Sequence, residues 1–511
     1  MGTADIHKSR RIARNTMMLY VRMFALLIVG LYTSRVILAA LGENDFGIYN
    51  VVGGVVAMFT VISGALSSAV TRFITFEMGK GEGAQLNKVY STAVAIQLIL
   101  CFIVVVLAEP IGLWFIDNKM TIDPSRIPAA RIVLHFSLLS FVINLMSVPQ
   151  MASITAHEKM SAYAFIGILD GMLRLVVAFV ILNSSTDRLV YYAALMAGVV
   201  LIVRLAYTIY CRRHFEECRY RPVFDKTLIR EMFSFAGWNF VGVASGVLRD
   251  HGGNILVNLF SGPAVNAARG VAIQLNGAIQ GFVTNFMTAV NPQITKSYAS
   301  GDKEYLFTLV RKSSKMSFYL LFILALPVLF NTDYILGLWL KEIPEHAPLF
   351  VQLLLVFALS ESVSNPLITM MLATGKIRNY QLLVGGLQLL NLPISYLFLR
   401  FGAMPEVTVM VAIGISQVCF FVRVFMLRRI ADLPAGYFLK DVYLRGLIRV
   451  SCGALILPLL FTFIRPDGFL GFFLSASVAC GSAIAAVLFL GMSKGEREQV
   501  YSFIFQRSMG S

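Results

Sequence analysis

The stretch Asn239-Phe240-Val241-Gly242-Val243-Ala244-Ser245-Gly246-Val247-Leu248-Arg249-Asp250-His251-Gly252-Gly253-Asn254-Ile255-Leu256-Val257-Asn258 is long enough and apolar enough at its ends to cross a membrane. Yet Arg249, Asp250 and His251 stand in succession near its middle. On a helix, Asn239, Gly242, Gly246, Asp250 and Gly253 recur at three- and four-residue spacings, which gathers them on one narrow stripe flanked by Arg249 and Asn254. Such a stripe must face protein or water. A central Arg or Asp costs about 2.5 to 3.5 kcal/mol to insert, so two in one span need partners or a purpose. The leading reading is a functional site. The alternative is an Arg249/Asp250 pair that only ties this helix to a neighbour.

The surrounding chain decides that the stretch is a span. Of 511 residues, 57% are hydrophobic and 14% charged, which is too apolar for a soluble globule. Apolar runs with short polar connections give an all-α polytopic membrane protein of about fourteen helices. They fall at 15 to 41, 47 to 72, 89 to 113, 131 to 154, 161 to 183, 189 to 211, 233 to 259, 264 to 291, 313 to 338, 349 to 373, 380 to 400, 405 to 428, 446 to 464 and 470 to 491. The net charge of +15 would suggest nucleic acid in a soluble chain, but here the basic residues sit on alternate connections. Lys8, Arg10, Arg11 and Arg14 lie on the same side by parity as the loops at 212 to 232, 292 to 315 and 428 to 449. That side is expected to be cytoplasmic, with both termini on it and the 114 to 130 loop outside. The excess charge then serves topology and attraction to anionic lipid. The first run is too long for a cleaved signal and carries Arg22 and Arg35, so it is expected to stay. Cys101, Cys211, Cys218, Cys419, Cys452 and Cys480 show neither metal-ligand nor disulfide spacing and read as buried small residues.

Other spans are charged as well. Arg22 and Arg35 lie about 140° apart on a straight helix, so they share a cavity only if the helix bends, for which Gly30 offers a place. Asp170 and Arg174 stand at i, i+4 and either pair with each other or line a site. Arg204 and Arg423 lie near the cytoplasmic ends of their spans, where snorkelling to headgroups is expected. The second half repeats the first: Pro149, Lys159, Tyr163, Gly64 and Thr71 recur 217 residues later as Pro366, Lys376, Tyr380, Gly281 and Thr288. Six spans per repeat, an even number, make the repeat parallel. The expected domains are a first lobe at 1–211, a linker at 212–232, a second lobe at 233–428, and a terminal helix pair with its connections at 429–511. Symmetry fails where Asn144 is answered by Glu361, beside Pro366. An acid there is either a proton or ion site or a carboxyl held neutral by hydrogen bonds.

Two six-helix lobes plus a terminal pair resemble the polysaccharide transporters, the oligosaccharide flippases of the superfamily that also holds multidrug extruders. The local signs are Leu41-Gly42 with Phe46-Gly47-Ile48-Tyr49-Asn50, Pro149 with Ala156-His157-Glu158-Lys159, and Gly262-Pro263-Ala264-Val265. The resemblance implies a bacterial inner-membrane flippase, not an enzyme. It would move an undecaprenyl-diphosphate-linked oligosaccharide outward by alternating access, for surface polysaccharides such as O-antigen. The implied partners are that lipid-linked substrate, membrane lipids, and the glycosyltransferases and polymerase of the same route, with a functional monomer and no nucleic acid. No cofactor or metal is expected beyond coupling to a proton or sodium gradient. The in-span arginines outnumber the deep acids, and guanidinium forks match phosphate oxygens, so Arg249, Arg269, Arg22, Arg35 and Arg174 are the candidate diphosphate ligands. Asp250, Glu361 and Asp170 are the candidate coupling acids. Two other functions fit less well: an ion-coupled exporter of organic cations, and a membrane polymerase or ligase, for which the 114 to 130 loop is small.

Overall fold

The computed structural model describes residues 3–498 apart from 58, 82, 121, 183, 185, 186, 222–224, 341, 465 and 467. Among the described residues every regular element is a helix. Ten helices are long and apolar enough to cross a membrane, or eleven when Ala347–Ser362 and Asn365–Thr374, bent by 41°, count as one span. The other expected spans also fall on helix. The run at 47 to 72 is carried by Thr3–Ala57 and Thr60–Lys80, and the runs at 233 to 259 and 264 to 291 by Lys226–Ala299. Polar residues dilute the last two: Arg249-Asp250-His251 in one, Gln274, Asn276, Gln280 and Asn285 in the other.

The internal repeat is written in the backbone. Gly42, at φ 74 and ψ 171, breaks Thr3–Ala57, and Gly262, at φ 81 and ψ 178, breaks Lys226–Ala299 at the matching place. That region of backbone space is essentially closed to residues with a Cβ. The first helix is non-helical at Gly42 alone, so no backbone break stands at Gly30 between Arg22 and Arg35. Gly81 caps one helix in left-handed conformation at φ 80, and Gly301 has φ 75. The turn at Met146–Ser147 before Pro149 matches the bend before Pro366.

One further pair departs from glycine. Gly375 has φ 74, and 217 residues earlier Glu158 has φ 57. A non-glycine residue accepts that conformation when its surroundings hold it. The Glu158 carboxylate, 4% exposed, receives Arg11 Nε at 3.0 Å, Lys296 Nζ at 2.9 Å and Gln293 Nε2 at 3.1 Å. Asn15 Nδ2 donates to its carbonyl at 3.1 Å. Glu158→Gly and Glu158→Ala both lose the ion cluster, but only glycine relaxes the backbone. Purified Glu158→Gly is therefore expected to melt above Glu158→Ala, by about 1 kcal/mol in stability. Equal melting would mean that the cluster holds no backbone strain.

Contacts divide the chain into two compact units, one running to Val243 with Thr288–Gly301, the other comprising Ala244–Met287 and the chain from Asp302. The division falls inside Lys226–Ala299 rather than at the 212 to 232 connection. In the first unit, Ile37, Ala40 and Leu41 pack on Val177, Ala178 and Ile181, with the Tyr49 and Tyr192 rings 4.7 Å apart beside them. At that end Arg126 bridges Asp45 and Asp187. In the second unit, Lys315 is 4% exposed and reaches Glu496 Oε2 at 3.2 Å and Asp441 Oδ2 at 3.5 Å, while Tyr319 Oη donates to the Gly491 carbonyl. These contacts fasten the terminal helices to Lys303–Phe330. Burial alone would raise the Glu496 carboxyl, but the Ser493 N–H and the Lys315 ammonium hold it below the ordinary range.

Candidate functional site

Three helical faces of the second unit, with Leu321 from Lys303–Phe330, line a cavity of about 400 Å³. Asp250 comes from the glycine-lined stripe of Lys226–Ala299, and Arg249 flanks it. Arg269, Ile273, Asn276, Gln280 and Thr284 recur at helical spacing on the segment after Gly262, so one face of an otherwise apolar helix is polar. Leu354, Phe357, Ala358, Glu361 and Asn365 come from the pair bent near Pro366. The bend turns Glu361 and Asn365 toward the same space.

Arg269 is the least compensated of these groups. It is 6% exposed, its Nη1 donates to Thr408 Oγ1 at 3.3 Å, and its Nε is buried without a hydrogen-bond partner. Among the described residues no acid lies within ion-pair distance of it. Its guanidinium rests against Gly253, where an added Cβ would stand 2.6 Å from Nη2 and 2.7 Å from Nη1. Glycine in that stripe therefore makes room for a charge, not for a neighbouring helix.

The other charges are arranged in pairs. Arg249, 14% exposed, folds back on its own neighbour: Nε donates to Asp250 Oδ1 at 2.9 Å and Nη2 to Oδ2 at 3.3 Å, while the guanidinium lies 4.9 Å from the Phe357 ring centre. Asp250 remains 61% exposed. Glu361 Oε1 faces Arg423 Nη1 at 3.8 Å. Arg423 does not snorkel, as its position near a span end suggested. Its side chain is 1% exposed, and Nε donates to Tyr380 Oη at 3.3 Å. Its repeat counterpart Arg204 is half-buried and donates to the Ile143 carbonyl at 3.3 Å, next to Asn144.

The sequence-selected residues thus separate into two groups. Arg249, Asp250, Arg269 and Glu361 line one cavity in the second unit. Arg22, Arg35, Asp170 and Arg174 belong to the first unit. There Asp170 and Arg174 pair at 3.0 Å, as their spacing allowed. Arg22 lies 4.7 Å from the Tyr163 ring centre with its Nε buried and unbonded, and Arg35 is exposed. Sequence reasoning missed Asn276 and Gln280 in the cavity wall, and Arg423 behind Glu361. The i, i+4, i+8 series Asn276, Gln280, Thr284 was a findable signal; the depth of Arg423 was not. Of the cysteines, Cys452 is exposed rather than buried.

The model of the family described as polysaccharide biosynthesis protein matches residues 12–298. A second model, MatE, matches residues 253–397. The uncharacterized membrane protein EpsK of Bacillus subtilis (strain 168) is 21% identical over 287 residues, which are 56% of this chain and 56% of that protein. The match thus spans about half the length of that relative. Among solved structures, an outward-facing multidrug resistance MATE family transporter of the MOP superfamily superposes with a TM-score of 0.72 at 14% identity, over 84% of this chain and 97% of that one. A MOP superfamily transporter from Pyrococcus furiosus, reported with a binding pocket of reversed polarity, gives 0.70 at 12% identity over 83% and 96%. At these identities the superpositions show a shared fold.

Proposed function

The chain belongs to the polysaccharide biosynthesis protein family, and from that premise we propose that it is a flippase for an undecaprenyl-diphosphate-linked oligosaccharide. The observation that carries the reading is Arg269: a buried guanidinium with one neutral hydrogen bond and a spare buried N–H, in the wall of a polar cavity. An uncompensated buried cation is costly, and a diphosphate would supply both the charge and the acceptors it lacks. Arg249 stands at the same wall as a second donor, already shared with Asp250. Within the first unit, Arg22, with its own spare N–H, Arg35 and Arg174 are the candidate diphosphate ligands. The prenyl tail would remain in lipid while the headgroup crosses.

The chain works in this reading as a monomer in the bacterial inner membrane with both termini cytoplasmic. Glycosyltransferases act before it and a polymerase after it. Asp250 and Glu361 are the coupling acids for a proton or sodium gradient, since both line the cavity. Asp170, engaged by Arg174, is the weaker candidate. The test is reconstitution in proteoliposomes with a fluorescent lipid-linked oligosaccharide. Outward movement is expected for the lipid diphosphate but not for a prenyl alcohol carrying the same glycan. Export of an organic cation instead, with no lipid movement, would replace this reading by that of a cation exporter.

A further inference from the structure

Glu361 and Arg423 form an unusual pair for a buried one. Their 3.8 Å separation is about 1 Å longer than an ordinary charge-assisted hydrogen bond, and Arg423 Nη1 is buried with no hydrogen-bond partner. The pair is therefore aligned but not closed. Arg423 itself is fixed from behind, because Nε donates to Tyr380 Oη and the side chain is 1% exposed. Glu361 is the movable member: it is 22% exposed, and it lines the cavity that holds Arg249 and Arg269.

The repeat explains which residue depends on which. The first lobe keeps an arginine, Arg204, within two residues of the matching register without the acid, because Asn144 stands where the second lobe has Glu361, and Arg204 donates to the Ile143 carbonyl instead. The arginine is thus part of the shared architecture, and the acid is the addition. An ionised carboxylate in the wall of an anion site opposes the anion, since like charges a few ångströms apart in a medium of intermediate dielectric repel by kilocalories. Left without Arg423, Glu361 would find its nearest cations in the cavity and compete for them.

We propose that Arg423 is a positioning residue that draws the Glu361 carboxylate out of the cavity, closing the last ångström of their pair when an anionic headgroup enters. This rests on the diphosphate reading above and adds the residue that keeps the site cationic. Arg423 touches no substrate; it acts through Glu361. At this register the two lobes differ in charge: the second has Glu361 where the first has Asn144.

The test is calorimetric titration of the full-length protein in detergent with farnesyl diphosphate, with farnesol as the blank. Arg423→Gln is expected to weaken diphosphate binding about tenfold, corresponding to roughly 1.4 kcal/mol. Arg423→Lys should weaken it less, because it keeps the charge. Glu361→Gln should bind at least as tightly as the wild type. The deciding variant is Arg423→Gln with Glu361→Gln, which should bind like Glu361→Gln alone. If Arg423→Gln weakens binding equally in both backgrounds, Arg423 acts by its own field or by its packing and the proposal fails. Thermal melting of each variant identifies any that do not fold, and Arg423→Lys then carries the comparison. Should the wild type bind farnesyl diphosphate no better than farnesol, the diphosphate reading itself falls, and this proposal with it.

Discussion

Arg269→Ala is expected to lower lipid-linked oligosaccharide flipping by at least about 100-fold at unchanged protein abundance, because two or more hydrogen bonds to a charged group are lost at roughly 1.5 to 3 kcal/mol each. Arg269→Lys should keep part of the activity, since the charge survives while the forked geometry does not. A second variant tests the same site without altering any charge. Gly253→Ala places a Cβ 2.6 to 2.7 Å from the guanidinium nitrogens and must displace them, so it should lower flipping in the same direction. The measurement is vesicle flipping normalised to immunoblot. Wild-type rates in both Arg269→Ala and Gly253→Ala would remove Arg269 from the substrate's path.

The second large effect concerns the pair next to it. Arg249→Ala leaves the Asp250 carboxylate, 61% exposed, without its partner in the cavity wall, and flipping is expected to fall more than about tenfold. The change Arg249→Ala with Asp250→Ala removes both charges and should recover part of the lost diphosphate binding, though not gradient-driven flipping, for which Asp250 is the proposed coupling acid. The expectation follows from geometry: two guanidinium nitrogens of Arg249 are already spent on Asp250. Failure of the double variant to recover would place Arg249 among the phosphate ligands in its own right.

The cavity was readable in the sequence to the extent that helical spacing governs it. Three- and four-residue intervals put Gly246, Asp250 and Gly253 on one stripe with Arg249 flanking it, and Glu361 stood out beside Pro366, where the span bends. Arg269 was readable because an arginine in an apolar run demands a reason. Its real neighbour, Gly253, was not, since a glycine that admits a helix and one that admits a guanidinium look alike in one dimension. Arg423 was misplaced for a similar reason. Distance along a helix suggested lipid headgroups, whereas burial depends on what packs around that turn, and Tyr380 and Glu361 lie 43 and 62 positions away in the chain. As for Arg22 and Arg35, the break in their helix falls at Gly42 and not between them at Gly30.

Gly42 and Gly262 carry a consequence for heredity. Neither has a heavy atom within 4 Å of where a Cβ would go, so substitution there meets no clash; it meets only a backbone geometry that no other residue adopts cheaply. Every missense change of a glycine codon installs a side chain. Each corner is thus a position at which every missense allele meets the same backbone cost, whatever its size or polarity. Arg249 and Asp250 in the cavity wall, by contrast, form a pair of opposite charges that can change together. The cost at Gly42 and Gly262 lies in the backbone of the residue itself, not in what surrounds it.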